Sequence, residues 1–348
     1  MQRTISSLFA LLLLLIGSSV MRAQQVTFQF QDGLYDAKLK ADMESAISEL
    51  LSEFNNAHRE QRSLRLNGMT LTEQTRRSLT YTWDNLATFT CDFDRNVSRC
   101  LQSVNGYEVR EIYITYHPRN PEEYKGTKER ELSIGFIKEN GSGIITHVRP
   151  TLENNESFGP IMRTGGDVTD MRRRLEILEF VENFRNFYTE KDTAAIRQIF
   201  DDDALIVTAK VIKPAPKGDS RVFRRPEIVY TKQDKETYLN NLKRLFARVR
   251  YIGLSFDSIV VKAHPTKENY YGVMLKQDWK NMDAHHRVTY NDNGYLFLLW
   301  EFPEGESPKI HVRTWQPEWM DNTHTRRNVP DDVEEQFNHY NIPDKPKK

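Results

Sequence analysis

The chain has 348 residues, of which 38% are hydrophobic and 11% aromatic, and its 49 basic residues balance its 49 acidic ones. This length suggests two domains, because a domain usually holds about 100–200 residues. A net charge of zero argues against a protein that grips nucleic acid or an anionic membrane with its whole surface. The 18 Phe, 15 Tyr and 5 Trp exclude a solvated, disordered chain.

Residues 1–23 have the pattern of a secretory signal peptide. Arg3 supplies the positive charge, and an unbroken apolar run from Leu8 to Ile16 precedes small residues. The run is shorter than the ~20 apolar residues of a membrane span. We therefore expect cleavage near Ala23 and a mature protein outside the cytoplasm, periplasmic or secreted, without membrane insertion.

The chain has two cysteines, Cys91 and Cys100. In an oxidising compartment two nearby thiols tend to pair, and the alternating residues on either side suggest two strand ends joined by a tight loop. The pattern predicts a structural disulfide, with a redox pair as the weaker alternative because such pairs usually have closer spacing. No motif for a metal or an organic cofactor occurs, so neither is expected.

Several patterns occur twice in the same order. Apolar residues at helical spacing occur at Met43, Ile47, Leu50 and Phe54, and again at Ile177, Val181, Phe184 and Tyr188. Three strand-like segments recur behind them: 112–118 with 259–265, 131–138 with 294–301, and 146–150 with 310–314. The shared order predicts an internal duplication.

Two copies predict two similar domains in tandem, over residues 26–152 and 171–320. Between them, residues 153–170 contain paired Gly and Asn, which favours a linker. Residues 321–348 form a polar tail, with at most a turn of helix around Asp331 to Phe337.

The second domain has a helix-first order of elements. The expected helices are Arg172–Thr189, Asp192–Phe200, which Asp192 would cap, and Lys235–Val249. The expected strands are 204–212, 254–264, 270–279, 294–302 and 309–315, and three prolines make 213–227 a projecting loop.

One segment of this domain resembles a known family. The run Phe187-Tyr188-x-x-x-Asp192-x-x-Ala195-Ile196-x-x-Ile199-Phe200-x-Asp202-Asp203-Ala204 is similar to the opening of nuclear transport factor 2-like domains, the cone-shaped fold shared with ketosteroid isomerase and scytalone dehydratase. The resemblance covers about residues 171–318 and reaches the first domain, a degenerate copy, only through the repeat.

The resemblance implies an α+β protein of two tandem cone-shaped domains, each a curved antiparallel sheet wrapped around a long helix with an apolar cavity inside. It places Asp201, Asp202 and Asp203 in a polar turn, so they are expected to be solvated and not to form a metal site. The fold does not select a function, because the same cone hosts enzymes and non-catalytic binders.

An enzyme of this fold needs a general base inside the cavity. In strand 270–279, alternation places Val273, Leu275, Gln277 and Trp279 on one apolar face, which we expect to point inward. Asp278 then points outward, and no carboxylate is clearly placed in the cavity. We therefore assign no catalytic residue.

The final strand carries an aromatic ring, a cation and a titratable ring in line, because His311, Arg313 and Trp315 are two residues apart. The alternative interpretation is an outer sheet face that pairs with Glu301 or Trp300. Tyr188 continues the helical stripe, and Trp279 and Trp315 end strands at the expected mouth of the cone, where they either form a rim or simply close the core. Candidate ligand-binding residues are Tyr188, Trp279, Trp300, His311, Arg313 and Trp315.

The leading hypothesis is an exported, non-catalytic binding or scaffold protein that recognises a partner protein or a small apolar ligand. The alternative is a ketosteroid-isomerase-like or dehydratase-like enzyme that uses the second cavity. A third interpretation is an assembly component that forms a homodimer through its sheet faces. The basic clusters 172–174 and 221–225 are expected to be solvated, with no nucleic-acid partner. A buried acid or His touching a Tyr or Trp inside the second cone would favour the enzyme.

Overall fold

The computed structural model describes residues 25–103, 106–122, 124, 127–151, 171–212, 227–319, 327–328 and 336. The predicted signal peptide, the predicted linker, most of the projecting loop and most of the tail lie outside the described residues.

The described residues form helices and strands in the following bounds. The helices are α1 (Ala37–Glu60), α2 (Glu73–Asn85), α3 (Met171–Thr189), α4 (Thr193–Ile199) and α5 (Lys235–Arg248). The strands are β1 (Thr27–Phe30), β2 (Ala87–Cys91), β3 (Arg95–Ser98), β4 (Cys100–Ser103), β5 (Gly106–Pro118), β6 (Glu129–Glu139), β7 (Ser142–Pro150), β8 (Phe200–Ile212), β9 (Glu227–Gln233), β10 (Tyr251–Ala263), β11 (Tyr270–Met282), β12 (Val288–Glu301) and β13 (Lys309–Pro317).

Four of the helices begin at a side chain that accepts hydrogen bonds from the first turn. Asp36 caps α1, Thr72 caps α2, Asp192 caps α4 as predicted, and Asp234 caps α5. Each cap satisfies backbone N–H groups that have no partner inside the helix. The polar residues before each apolar stripe thus fix where the helices start.

The first cone is a curved sheet in the order β2-β5-β6-β7, with β4 also pairing β5 and α1 packed against it. The predicted stripe of α1 is fully buried. Phe54 at its end stacks on Trp83 of α2 with ring centroids 5.5 Å apart, and Phe89 meets both rings edge-on. This aromatic cluster closes an apolar core belonging to the first cone alone.

The second cone is a six-stranded sheet in the order β10-β11-β12-β13-β8-β9. Its long helix α3 lies against the sheet through the predicted stripe, with Phe184 6.1 Å from the Phe256 ring and Tyr188 5.9 Å from Trp279. On β11 the predicted inward face is confirmed, because Val273 and Leu275 are fully buried. The α+β class with two cone-shaped domains is therefore confirmed by the architecture.

One local prediction in the second cone was wrong, and one strand was not predicted. The segment 201–203 is not a turn, because β8 already starts at Phe200, which pairs with Ile310. The predicted loop is followed by β9, an edge strand on β8 that begins at Glu227. Its β-branched and aromatic residues, Ile228, Val229 and Tyr230, are typical of a strand.

The two cones share the same sheet order, but not every repeated segment of the sequence falls on matching strands. In each cone a helix leads into the first of four antiparallel neighbouring strands, as α2 to β2-β5-β6-β7 and α5 to β10-β11-β12-β13. This order matches β6 with β12 and β7 with β13, as two of the repeated segments predicted. It matches β5 with β11, whereas the segments 112–118 and 259–265 had paired β5 with β10.

The predicted disulfide is not formed, and Cys91 and Cys100 are buried free thiols. No tight loop joins them, because β3 leaves the sheet between them to pair with β1. Cys91 pairs with Ile114 and Cys100 with Val109 along β5. Five residues of strand span roughly 16 Å, well beyond the Cα separation that a disulfide allows.

Candidate functional site

Helix α3 uses two faces, one for each cone. The apolar stripe described above enters the core of the second cone. The opposite face carries Glu179, Glu182 and Asn183, which lie on the outer face of the first cone's sheet. Charged and polar side chains of β5, β6 and β7 meet them there, so the helix joins the two cones.

Glu182 is the centre of a buried ion cluster at this contact. Its carboxylate accepts from Arg110 at 3.0 Å and from Arg149 at 3.2 Å, and Arg110 also reaches Glu108 at 2.7 Å. These four side chains are no more than 4% exposed. Two cations and two carboxylates therefore compensate one another away from water.

The environment of the cluster sets its protonation. Burial alone would raise the pKa of Glu182, but the charges of Arg110 and Arg149 outweigh it and lower that pKa to about 2. Burial raises the pKa of neighbouring Glu179 to about 7, and repulsion from Glu108 adds to that rise. Glu182 therefore stays ionised at neutral pH, whereas Glu179 titrates near neutrality.

His147 completes the cluster as a neutral ring. Its Nε2 lies 3.0 Å from the Ser133 hydroxyl, which donates to Glu108 at 2.6 Å. Burial, followed by the charges of Arg149 and Arg110, lowers the pKa of His147 well below 6.5. The ring fits only because residue 135 on β6 is glycine, since a Cβ there would lie 2.1 Å from the imidazole.

A cleft with a volume of about 380 Å³ lies beside the ion cluster, between the two cones. Hydrogen bonds between the cones border it: Ser78 donates to Glu190 at 2.5 Å, Arg185 to the Pro150 carbonyl at 3.0 Å, and Asn120 to the His286 carbonyl at 2.7 Å. The volume is in the range of small-molecule sites. The walls include side chains from α2, β5, β7, α3, β10 and β11.

The cleft combines cations with aromatic and apolar surface. Its cations are Arg130, Arg149, Arg185 and Lys280, and its carboxylates are Glu190 and Asp278. Arg130 lies 4.8 Å over the ring of Tyr116 and donates to the Thr151 carbonyl. Lys280 pairs with Asp278 at 3.0 Å. The wall therefore sets cationic side chains beside tyrosine rings.

Most of the residues predicted to bind a ligand lie inside the second cone, away from the cleft. Tyr188 and Trp300 are 1% exposed and Trp315 is 6% exposed, so these side chains close the core. The Tyr188 and Tyr238 hydroxyls are 2.7 Å apart, and the Arg313 guanidinium lies 5.2 Å from the Tyr238 ring. Trp279 lies partly buried against them, and its indole N–H donates to Asn281.

The predicted line of His311, Arg313 and Trp315 is divided. The register between β12 and β13 shifts near Trp300 and Ile310, which places a bulge at this point. His311 pairs with Glu301 at 2.7 Å and packs against Tyr270, as the alternative interpretation expected. Arg313 and Trp315 face the core, where Arg313 Nε and Nη1 and Trp315 Nε1 have no hydrogen-bond partner among the described residues.

One carboxyl at the mouth of the second cone was missed from the sequence. Asp292 lies opposite Trp279 on β12 and accepts from the Tyr290 hydroxyl at 3.0 Å. Burial raises the pKa of Asp292 to about 6. The run Asn-Asp-Asn-Gly at 291–294 is typical of a turn, but it lies within β12, so Asp292 is on the strand face shared with Trp279.

The cleft residues were also missed, because each one is an ordinary polar residue of its own strand or helix. The available signal was the polar face of α3, where Glu179, Glu182 and Arg185 are spaced by three residues. That spacing indicates a second charged stripe on a helix whose other side is apolar. It does not show that another domain covers the stripe.

A scan against protein-family models and a search of curated proteins found no match. Among solved structures, a nuclear transport factor 2-like protein of unknown function from Pseudomonas putida is 10% identical, and the match covers 47% of this chain and 99% of that one with a TM-score of 0.33. Naphthalene 1,2-dioxygenase with indole bound in its active site is 7% identical over 41% of this chain and 77% of that one, also with a TM-score of 0.33.

A protein from Bdellovibrio bacteriovorus is 15% identical, with a TM-score of 0.31 over 52% of this chain. The chain spans about half the length of that protein, 49%. Function has to be argued from the site itself.

Membrane-spanning helices and metal sites are absent from the described residues. No helix among them is long and apolar enough to cross a membrane. In the same residues, no group of three or more His, Cys, Asp or Glu side chains is arranged to hold a metal ion.

Proposed function

We propose that this is a non-catalytic binding protein that holds a small anionic ligand with an aromatic or apolar body in the cleft between its two cones. The observation that carries the proposal is the cleft of about 380 Å³, whose wall sets arginines beside tyrosine rings. Cations attract the anionic group, and the rings bury the remainder of the ligand at little entropic cost. A ligand there would touch both cones and stabilise their contact.

The proposal changes the ligand class expected from the sequence. An apolar ligand was expected in the second cone, but that interior is occupied by Tyr188, Trp315 and their neighbours. The cleft instead contains Arg130 and Arg185, which are each 7% exposed. We further propose that binding takes place outside the cytoplasm, as the pattern of residues 1–23 suggests.

Binding is tested with a matched pair of fluorescent ligands. 8-Anilinonaphthalene-1-sulfonate is an aromatic anion, and N-phenyl-1-naphthylamine has the same rings without the sulfonate. We expect fluorescence titration to show tighter binding of the anion. Arg130→Met should weaken it by about 10–100-fold, since a hydrogen bond to a charged group contributes ~1.5–3 kcal/mol.

The matched control is Arg173→Met. Arg173 also lies over a tyrosine ring, 5.7 Å from the Tyr271 centroid, but outside the cleft. This variant should bind the anion like the wild type. Equal affinity for both ligands, together with equal loss in both variants, would rule out the cleft as an anion site.

A second candidate function is a proton-transfer enzyme in the second cone, related to the isomerase alternative. It is favoured by Asp292, a carboxyl that is hydrogen-bonded to Tyr290 and lies opposite Trp279, and whose pKa burial raises to about 6. A base with a pKa near 6 suits proton abstraction next to a carbonyl.

This candidate predicts exchange of the α-deuterons of 2,2,6,6-tetradeuterocyclohexanone into water, followed by NMR. The exchange should exceed that in buffer and be lost in Asp292→Asn. Asp257→Asn, which changes an aspartate of another strand of the same sheet, serves as the control. Exchange at the buffer rate in the wild type would leave only the binding function.

A further inference from the structure

Glu190 is a cleft carboxyl that joins the two cones. It follows the end of α3, and its Oε1 accepts from Ser78 of α2 at 2.5 Å. Its Oε2 has no hydrogen-bond partner among the described residues, while the side chain lines the cleft. One carboxyl oxygen is therefore fixed by the protein, and the other is available to whatever enters.

Charged and titratable groups surround this carboxyl on several sides. Arg149 comes from β7, Arg185 from α3, Asp192 from the start of α4 and Tyr81 from α2. Burial raises the pKa of Glu190 to about 7 and Asp192 adds to this, while Ser78 and the two arginines oppose it. Near neutral pH the carboxyl is thus present in both protonation states.

We propose that Glu190 is a specificity-determining residue of the cleft, which donates a hydrogen bond from its protonated Oε2 to an oxyanion of the ligand. The proposal rests on the proposed binding function and names the ligand class more closely, as an oxyanion such as a carboxylate, sulfonate or phosphate. A neutral carboxyl offers an O–H to an anion, whereas an ionised carboxyl repels it. The ligand and one proton from water are therefore taken up together.

Proton uptake fixes the sign of the pH dependence. The complex requires protonated Glu190, so the affinity is highest below pH 7 and falls as the pH rises through it. At pH values well above the pKa of Glu190, uptake of one proton on binding lowers the affinity by up to about ten-fold for each pH unit. The neighbouring cations keep their charge over this range, so they supply no comparable slope.

The test is titration of 8-anilinonaphthalene-1-sulfonate from pH 5.5 to 9, a range in which the sulfonate stays ionised. Wild-type affinity should fall by about ten-fold per unit above pH 7. Glu190→Gln keeps an N–H donor that does not titrate, so its affinity should stay nearly constant. Calorimetry in two buffers of different ionisation enthalpy should show uptake of about one proton at pH 8 by the wild type and none by the variant.

Glu131→Gln and Glu179→Gln are the controls, because burial also raises the pKa of these carboxyls and they lie outside the cleft. Both should keep the wild-type profile. A slope that persists in Glu190→Gln, or a flat wild-type profile, overturns the role of Glu190. That result is separable from failure of the binding function, since Arg130→Met then still weakens binding if the cleft is the site.

Discussion

The two cones touch through two neighbouring regions that use similar residues in different ways. In the ion cluster, Arg110 and Arg149 meet the carboxylates of Glu108 and Glu182, and all four are buried. In the cleft, Arg130 and Arg185 donate to the carbonyl oxygens of Thr151 and Pro150 beside open space. The cluster pairs its cations with buried carboxylates, whereas the cleft sets its arginines beside a cavity.

The difference separates structure from function. A buried cation is costly unless a carboxylate compensates it, so the cluster favours the arrangement of the two domains in which its charges are paired. In the cleft, the carbonyl oxygens of Thr151 and Pro150 position two arginines beside open space. We therefore treat the cluster as the joint and the cleft as the binding site.

The largest expected effect is at the joint. Glu182→Gln leaves Arg110 and Arg149 without their shared carboxylate, and breaking such a buried pair costs about 3–5 kcal/mol. Urea unfolding should show this loss, together with faster proteolysis between the cones. Glu236→Gln breaks an exposed pair with Arg197 on the second cone and should leave the unfolding curve unchanged. Similar curves for both variants would show that the cluster does not join the cones.

A substitution in the cleft is expected to cause a smaller loss of stability. Arg130→Met gives up the hydrogen bond to Thr151 and the contact with Tyr116, and we expect about 1–2 kcal/mol of destabilisation. The same unfolding experiment measures it, and binding measured below the transition separates stability from affinity. A loss as large as that of Glu182→Gln would place Arg130 in the joint and end the distinction between the two regions.

The pH dependence of stability sharpens the comparison further. The pKa of Glu179 rises from 4.5 to about 7 on folding, so the native state favours its protonated form. Its contribution is complete below pH 4.5 and is lost as the pH rises towards 7. Glu179→Gln should therefore show a flatter decline between pH 5 and 7.5 than the wild type. Parallel curves would mean that Glu179 is solvated in the folded protein.

The smallest effect concerns the thiols, which take no part in either region. Cys91 and Cys100 are free in the structure, and burial raises the pKa of both. Ellman's reagent under denaturing, non-reducing conditions should find two thiols, and dithiothreitol should not change the melting temperature. Finding no free thiol would restore the disulfide predicted from the sequence.

The sequence predicted those features that depend on one helix or one strand alone. The stripe from Ile177 to Tyr188 and the inward face of β11 follow from period alone, and both are observed. The cleft and the cluster could not be predicted in this way. The alternation of Glu108 with Arg110 and of His147 with Arg149 is the same for a solvated sheet face and for one covered by another domain. The prediction of a disulfide was wrong for a related reason, because the sequence proximity of Cys91 and Cys100 did not reveal that β3 separates them.

The double use of α3 has a consequence for synthesis on the ribosome. The outer sheet face of the first cone is complete once β7 ends at Pro150, but Glu182 is added about 30 residues later. At roughly 5–20 residues per second, the nascent chain spends a few seconds in which Arg110 has only Glu108 and Arg149 does not yet have Glu182. The first cone is thus finished by the opening helix of the second, and the order of translation becomes part of how the two are assembled.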